Sequence, residues 1–454
     1  MSNFHMLCEP LKEKIINRLG WRELTLVQEM AIPEIINGKN AIILAPTAGG
    51  KTEAAFFPIL HMIHTKNIMG TSVIYVSPIK ALLNNQEERL KNLSSFVYRN
   101  VFKWHGDVGP GEKMKSFRDP PNILMITPES LEVILMNKKV DKNDFFGNIK
   151  FVVIDEIHSF ADSERGVHLM ALIERIQGYS QYDIQRIGLS ATVGNPGVIG
   201  EWMKGSSNRE LIIIDPPKQN IKKLIEIKLV RKNEDFSEEV CKRIYGKKAL
   251  FFSNSRRAAE GLKKSIENRG IETFVHHSSI DKRFRENAEE KFKTGNNKCI
   301  IATSTLELGI DIGDLDIVLQ LDSPSMVSSF LQRMGRAGRR KDIIAHYVFF
   351  PTKPGKFILA IAILNLAIKG FVEGVHIGKI SYDLMFHQIL TMSLAKSGVG
   401  KDRIFDVLNK VYSFSGINRK EYEALLEYMS NKKFIQIERN NIYIDTQAEK
   451  SFGR

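Results

Sequence analysis

Cysteine is scarce in this chain: Cys8, Cys241 and Cys299 are the only three in 454 residues, with no CxxC pair and no histidine at ligand spacing. That argues against a disulfide framework and against a thiolate zinc site, and fits reduced thiols in a cytoplasmic protein. Long apolar runs are also missing. The longest, Phe357 to Ile368, includes Asn365. It is short of the roughly 20 residues a bilayer requires, and predicts a buried helix and no membrane partner. The first residues, Met1-Ser2-Asn3-Phe4-His5, lack a basic region followed by an apolar core, so no secretory signal is expected. Low-complexity tracts and short-period repeats do not occur.

What remains is the composition of an ordinary globular protein, 43% hydrophobic and 26% charged, long enough for two or three domains. The net charge of +13 is uneven. Residues 1–215 carry 24 Lys and Arg against 24 Asp and Glu, residues 216–379 carry 30 against 19, and residues 380–454 carry 11 against 9. A basic surplus in the middle segment fits a polyanion contact there, and equally a solvated lysine-rich face.

Strand-like runs alternate with helical patterns through the first 350 residues or so, as in parallel α/β layers. One series is expected at 41–45, 72–76, 123–127, 151–154 and 184–189. A second is expected at 249–253, 273–275, 299–302, 317–321 and 346–350. The pattern is that of one doubly wound unit used twice, broken at Asp215-Pro216-Pro217-Lys218, where two prolines stiffen a crossover. Beyond residue 378, helices are predicted over 382–396, 402–410 and 419–432, then two strands around an Asn-Asn turn. This is a winged-helix pattern, whose near-neutral charge favours a packing role over a nucleic-acid grip.

The strongest local signal is Ala45-Pro46-Thr47-Ala48-Gly49-Gly50-Lys51-Thr52, a phosphate-binding loop between a strand and a helix. Its first position is Ala45 rather than glycine. Gly49 and Gly50 let backbone amides turn toward phosphate, Lys51 reaches the β- and γ-phosphates of ATP, and Thr52 is a candidate Mg²⁺ ligand. Asp155-Glu156-Ile157-His158 ends a predicted strand at the ligand-binding edge of a parallel sheet. Asp155 is the second candidate for Mg²⁺, and Glu156 the candidate for polarising the attacking water. In Gln332-Arg333-Met334-Gly335-Arg336-Ala337-Gly338-Arg339, Arg336 and Arg339 are expected on one helical face. There they could clamp γ-phosphate charge, with Gln332 one turn earlier. Arg333 and Arg340 are then left for nucleic acid.

Taken together, these motifs resemble those of superfamily 2 helicases of the DEAD/DEAH type, in family order. The resemblance implies two tandem RecA-like domains, residues 1–214 and 215–377, and a winged-helix domain over 378–454. It implies that Gln28 reads the adenine edge, with Trp21 as a possible stacking surface, and that Gly309 and Asp311 face the nucleotide. It also implies nucleic-acid contacts at Ser77, Pro78, Lys80, Thr127, Pro128, Glu129, Ser253 and Thr305. Ser190-Ala191-Thr192 resembles the element that couples hydrolysis to strand movement. The wording of 45–54, of Arg165-Gly166-Val167-His168-Leu169, of 303–313 and of Phe386-His387-Gln388-Ile389 is similar to the Large Helicase-Related family over roughly residues 15–445. Many of those relatives carry histidine where this chain has Arg339, and larger ones continue past the wing; a compact homologue and part of a larger machine are both open.

The expected activity is an ATP-dependent helicase or translocase on DNA, with 3′ to 5′ polarity implied by the resemblance. An RNA helicase is the alternative, because phosphate contacts do not report the 2′-hydroxyl. A nucleotide-gated clamp is a third reading, since 322–330 leaves little space for a strand-separating hairpin.

Overall fold

The computed structural model describes residues 2–46, 49–217, 223–229, 235–277, 279–303, 306–307, 313–337, 344–395 and 398–452. Its first unit contains β1 (Asn40–Leu44), β2 (Val73–Val76), β3 (Val101–Trp104), β4 (Ile123–Ile126), β5 (Phe151–Ile154), β6 (Gln185–Ser190) and β7 (Leu211–Ile214). They form one seven-stranded sheet in the order β3-β4-β2-β5-β6-β1-β7, parallel throughout. The inner strands are buried along their whole length, which is why they read as continuous apolar runs: helices cover both faces. The outer strands β3 and β7 are half-buried for most of their length. Neither is in the expected series. β3, with Lys103 among its four residues, gives a weaker apolar signal, whereas β7 is wholly aliphatic and its edge position follows from the fold and not from its composition.

The second unit holds β8 (Lys223–Ile227), β9 (Lys248–Phe252), β10 (Glu272–His276), β11 (Lys298–Ala302), β12 (Ile317–Leu321) and β13 (Ala345–Phe350). Their order is β10-β11-β9-β12-β13-β8, again all parallel. β8, an edge strand with two exposed residues, is likewise absent from the expected series. Both units are therefore doubly wound parallel sheets of the RecA-like kind.

A third unit packs helices Tyr382–Ala395, Lys401–Leu408 and Arg419–Asn431 with β14 (Val399–Gly400), β15 (Ile435–Glu438) and β16 (Asn441–Ile444). These strands pair antiparallel in the order β14-β16-β15, a winged-helix arrangement. The hairpin turn is Arg439-Asn440, with φ of 45° and 72°, and not the expected Asn-Asn pair; Asn441 already belongs to β16. Positive φ at both central positions is what a tight two-residue hairpin demands.

The helix Pro354–Ile368 departs from expectation. It was expected to be buried, yet only Ala360 and Ile363 are, while Ile358 is 66% and Ile368 83% exposed. One side packs on the second sheet unit and the other faces outward. Among the described residues, no helix is long and apolar enough to cross a membrane.

The core shows how the units are joined. One face of the first sheet, with Ile42, Ile74, Leu124 and Val152, shares a single apolar cluster with Met385, Ile389, Leu408, Leu426 and Ile442 of the winged helix. The second sheet has its own two clusters, entered from the first unit by Leu82.

Candidate nucleotide and nucleic-acid site

Between β1 and the helix Lys51–Thr65, the chain turns at Gly50, whose φ of 84° places it in the left-handed region as the helix N-cap. A side chain there would also sit 2.7 Å from Gln28 Nε2, so glycine is required twice over. Lys51 is nearly buried and donates from Nζ to Ala45 O at 2.8 Å, folding back under the loop it closes. Thr52 is buried in the first turn of the same helix. Thr47 lies outside the described residues. Gln28 is fully buried. Its Oε1 accepts from Thr25 N at 2.9 Å and its Nε2 donates to Gly50 O at 3.5 Å. The structure thus places Gln28 beneath the phosphate loop, with both ends of its amide engaged. The Trp21 ring meets Phe57 edge-on, with centroids 6.1 Å apart.

Asp155 and Glu156 follow directly on β5, at its C-terminal edge. Gly188 in β6 makes room for this turn: a Cβ would lie 2.7 Å from Ile42 and 2.8 Å from Ile157. Glu156 has φ of 47°, an uncommon conformation for a residue with a side chain and one found at functional turns. Asp155 accepts a hydrogen bond from Tyr75 Oη at 2.5 Å. Burial, and then the charge of Glu156, push its carboxyl up to about 6. Two carboxylates side by side in a buried edge lack positive charge, which Lys51 only partly supplies.

His158, quoted with the acidic pair but given no role from sequence, is the centre of the arrangement. Its Nδ1 is 3.1 Å from Ser190 Oγ and its Nε2 is 3.1 Å from Gln332 Nε2, while Nε2 is 3.6 Å from Glu156 Oε2. Burial holds its pKa below the usual histidine value, against the opposing pull of Glu156. A neutral ring therefore accepts from Gln332 and donates to Ser190. This one side chain links the acidic turn and the Ser190-Ala191-Thr192 segment of the first unit to a helix of the second. Only its closeness to Glu156 in sequence could have flagged it.

That helix is Val327–Met334, and Gly335 ends it. Arg336 therefore lies beyond the helix, contrary to the expectation that it and Arg339 share a helical face; Ala337 forms a β-bridge with Leu315 instead. Arg336 is 1% exposed and donates to Glu307 O at 2.6 Å. Arg339 and Arg340 lie outside the described residues, as do Thr305, Gly309 and Asp311. Arg333, expected at nucleic acid, is buried instead. It is ion-paired to Glu307, with Nε 2.9 Å from Oε1, and its guanidinium stacks over Phe252 at 4.7 Å.

The expected nucleic-acid contacts divide. Lys80 and Glu129 are exposed, but the side chains of Ser77, Pro78, Thr127, Pro128 and Ser253 are buried. Ser253 Oγ donates to Ser255 O at 3.0 Å and shapes its own turn, and Thr127 Oγ1 donates to Ser130 Oγ at 3.2 Å. Glu129 is held by Arg165, whose Nε lies 2.6 Å from Oε1 while its Nη1 donates to Pro78 O at 2.8 Å. Burial raises the Glu129 pKa, but Arg165, together with hydrogen bonds from the Glu129 backbone amide and Thr127, lowers it overall. Arg165 thus pins the two turns to each other. Lys80 Nζ lies 3.0 Å from Asp107 Oδ1.

The seam with the winged helix carries a second polar cluster. Glu132 lies 3.0 Å from His168 Nε2 and 3.6 Å from Arg175. Gln388 donates to its Oε1 at 3.1 Å, and Arg175 donates to Gln388 and Thr391. His387 completes a group close enough to hold a metal. With Arg175 and Gln388 already satisfying the carboxylate, however, the cluster reads as a polar latch. Burial opposes ionisation of Glu132, but His168, His387 and Arg175 hold its pKa down at about 2.

Comparison with known proteins fits this geometry. Residues 25–198 match the DEAD/DEAH box helicase model, and residues 231–341 match the helicase conserved C-terminal domain. The chain belongs to this superfamily 2 class, with two RecA-like units that meet at His158 and Gln332. Within the class it is Lhr-like. It is 31% identical to the ATP-dependent helicase Lhr-Core of Methanocaldococcus jannaschii, over 97% of this chain and 54% of that protein. It is 32% identical to that of Saccharolobus solfataricus, over 94% of this chain and 52% of that one. The structure of Mycobacterium smegmatis helicase Lhr bound to ssDNA and AMP-PNP superposes with a TM-score of 0.87 at 26% identity, covering 99% of this chain and 62% of that one. The chain thus spans about half the length of the curated relatives it matches.

Proposed function

We propose that this chain is a nucleic-acid-stimulated ATPase that works as an ATP-dependent helicase or translocase on DNA. One observation carries the reading: Gln332 of the second RecA-like unit meets His158 beside Glu156 of the first. Chemistry placed on one unit is thereby reported to the other. Lys51 and the loop amides hold the phosphates, Glu156 orients the attacking water, and Arg336, with Arg339, answers charge on the γ-phosphate as the cleft tightens. Gln28 fixes the loop from below and, with Gly309 and Asp311, forms the nucleotide side. The donor set suits Mg²⁺, which prefers hard oxygen ligands. Thr52 and Asp155 would hold it, and it would neutralise phosphate charge and supply the countercharge the buried acidic pair lacks.

Lys80, Thr305 and the backbone of the turns at Ser77-Pro78, Thr127-Pro128-Glu129 and Ser253 form the strand track. The division at 1–214, 215–377 and 378–454 is supported by sheet membership, which changes between β7 and β8. DNA is favoured over RNA because the ssDNA-bound relative superposes along nearly all of this chain. The 3′ to 5′ polarity and a cytoplasmic setting follow from the family resemblance and the reduced thiols. The clamp reading retains one observation in its favour: β12 passes into the helix Val327–Met334 without an intervening hairpin.

The test is ATP turnover with single-stranded DNA, duplex DNA and RNA side by side, then unwinding of duplexes tailed at either end. DNA-stimulated turnover with unwinding from a 3′ tail is expected. Turnover without unwinding selects the clamp, and stimulation by RNA alone overturns the DNA assignment.

A further inference from the structure

The helix that carries Gln332 has no side-chain cap of its own; its N-cap residue is Met326. The exposed amides at a helix N-terminus need acceptors and favour negative charge. Here they receive both from Glu373, 46 residues downstream: Val327 N donates to Oε1 at 2.6 Å and Ser328 N to Oε2 at 2.9 Å. These two backbone bonds outweigh partial burial and hold the Glu373 carboxyl below its usual range.

The same short segment is fastened to the first unit. Glu373 O accepts from Gly194 N at 3.1 Å. The Asn195 side chain then reads the next turn of backbone reciprocally, with Nδ2 donating to Val375 O and Oδ1 accepting from Val375 N, both at 2.8 Å. The fit leaves no room for side chains: a Cβ on Gly194 would lie 2.3 Å from Val372 O, and one on Gly374 would lie 3.0 Å from Asn195. Gly194 and Asn195 continue the segment that begins at Ser190, the residue in contact with His158. One loop of the first unit therefore reaches the Gln332 helix twice, through His158 near its C-terminal end and through the strap 372–375 at its N-terminus.

We propose that residues 372–375 act as an interdomain strap and that Glu373 is a positioning residue. It sets the helix bearing Gln332, and Arg336 just beyond, against the acidic turn of the first unit. The proposal rests on the ATPase reading above. In mechanical terms, the strap pins the N-terminal end of the helix to the first domain, so that Gln332 near the other end is held in register with His158. A small misplacement of a catalytic group costs rate far more than affinity, about 10- to 100-fold.

The test uses the full chain and two readouts. In Glu373→Ala, kcat for DNA-stimulated ATP turnover should fall 10- to 100-fold with KM for ATP changed less than about twofold, and Glu373→Gln, which keeps one acceptor, should recover part of the loss. Combining Glu373→Ala with Gln332→Ala should cost little beyond either change alone, because both act through one helix. Hydrogen exchange at Val327, Ser328 and Gly194 should quicken in Glu373→Ala while the rest of both sheets keeps its protection. Unchanged kcat, or a loss fully additive with Gln332→Ala, overturns the positioning role. Unchanged exchange at Val327 and Ser328 overturns the strap itself. If the wild-type chain turns over no ATP, the ATPase reading fails, and the exchange result alone still decides whether Glu373 holds the helix.

Discussion

The first RecA-like unit has two neighbours, and it holds them by opposite means. Against the winged helix the seam is apolar and continuous, with Met385, Ile389 and Leu408 in the same core as Val152 and Leu172. Among the described residues, the seam toward the second RecA-like unit includes several isolated hydrogen bonds: Gln332 to His158, Asn84 to Glu286 at 3.4 Å, and Gly194 and Asn195 to the strap, with Leu82, Ile79 and Ala81 as an apolar plug. A large dry interface resists sliding, whereas a few hydrogen bonds exchange readily with water and phosphate. The winged helix thus shares the core of the first unit, in line with the packing role its near-neutral charge favoured, whereas the second unit meets the first through contacts of a kind that exchange more readily.

Four changes would break or sharpen this contrast. The largest effect belongs to Lys51→Ala, which removes the charge proposed to meet phosphate in the first unit. ATP turnover should drop by at least about 10²–10³-fold with both seams intact, as checked by kcat beside circular dichroism. Turnover at the wild-type level would show that the P-loop is not the engine.

Next is Ile389→Ala in the apolar seam. It should cost about 2–5 kcal/mol of stability and lower the unfolding midpoint of the first unit and the winged helix together. A separate early transition of the winged helix alone would mean that the two are not one body.

Gln332→Ala in the polar seam should behave in the opposite way. Stability should change by less than about 0.5 kcal/mol, as for other changes outside a core, while kcat falls by about tenfold. Equal losses of stability at the two seams would erase the distinction.

The smallest effect is one of pH. Glu132 has a folded pKa of about 2 against the ordinary 4.5. The stabilisation it brings is therefore fully present above pH 4.5 and is lost as pH falls from there toward 2. Glu132→Gln should flatten the fall in melting temperature over that window. An unchanged slope would show that the polar latch does not help hold the winged helix.

The legible parts of this protein are those whose physics is local. Gly50 and Lys51 announce themselves because a phosphate loop needs a left-handed glycine and a lysine at fixed spacing. The buried strands are plain because both faces are covered. The edge strands Val101–Trp104 and Lys223–Ile227 are hard to read because half-exposed strands mix polar and apolar residues without clear alternation. The helix Pro354–Ile368 reads as buried because composition reports hydrophobicity and not whether a partner covers it. The spacing of Arg336 and Arg339 suggests one helical face, but Gly335 ends the helix before Arg336. Ser253 and Thr127 looked like strand contacts, yet their hydroxyls are spent on their own turns.

By itself, the sequence determined that this is a doubly wound protein with a phosphate loop, an acidic strand end and a late arginine segment. Each is encoded within a few consecutive residues by steric and electrostatic requirements. Only the tertiary structure decided that His158 joins the two RecA-like units, that Glu373 caps a helix 46 residues upstream, and that the winged helix shares a core with the first unit. Those contacts depend on which surfaces meet once loops have closed, and residue spacing along the chain carries no information about that.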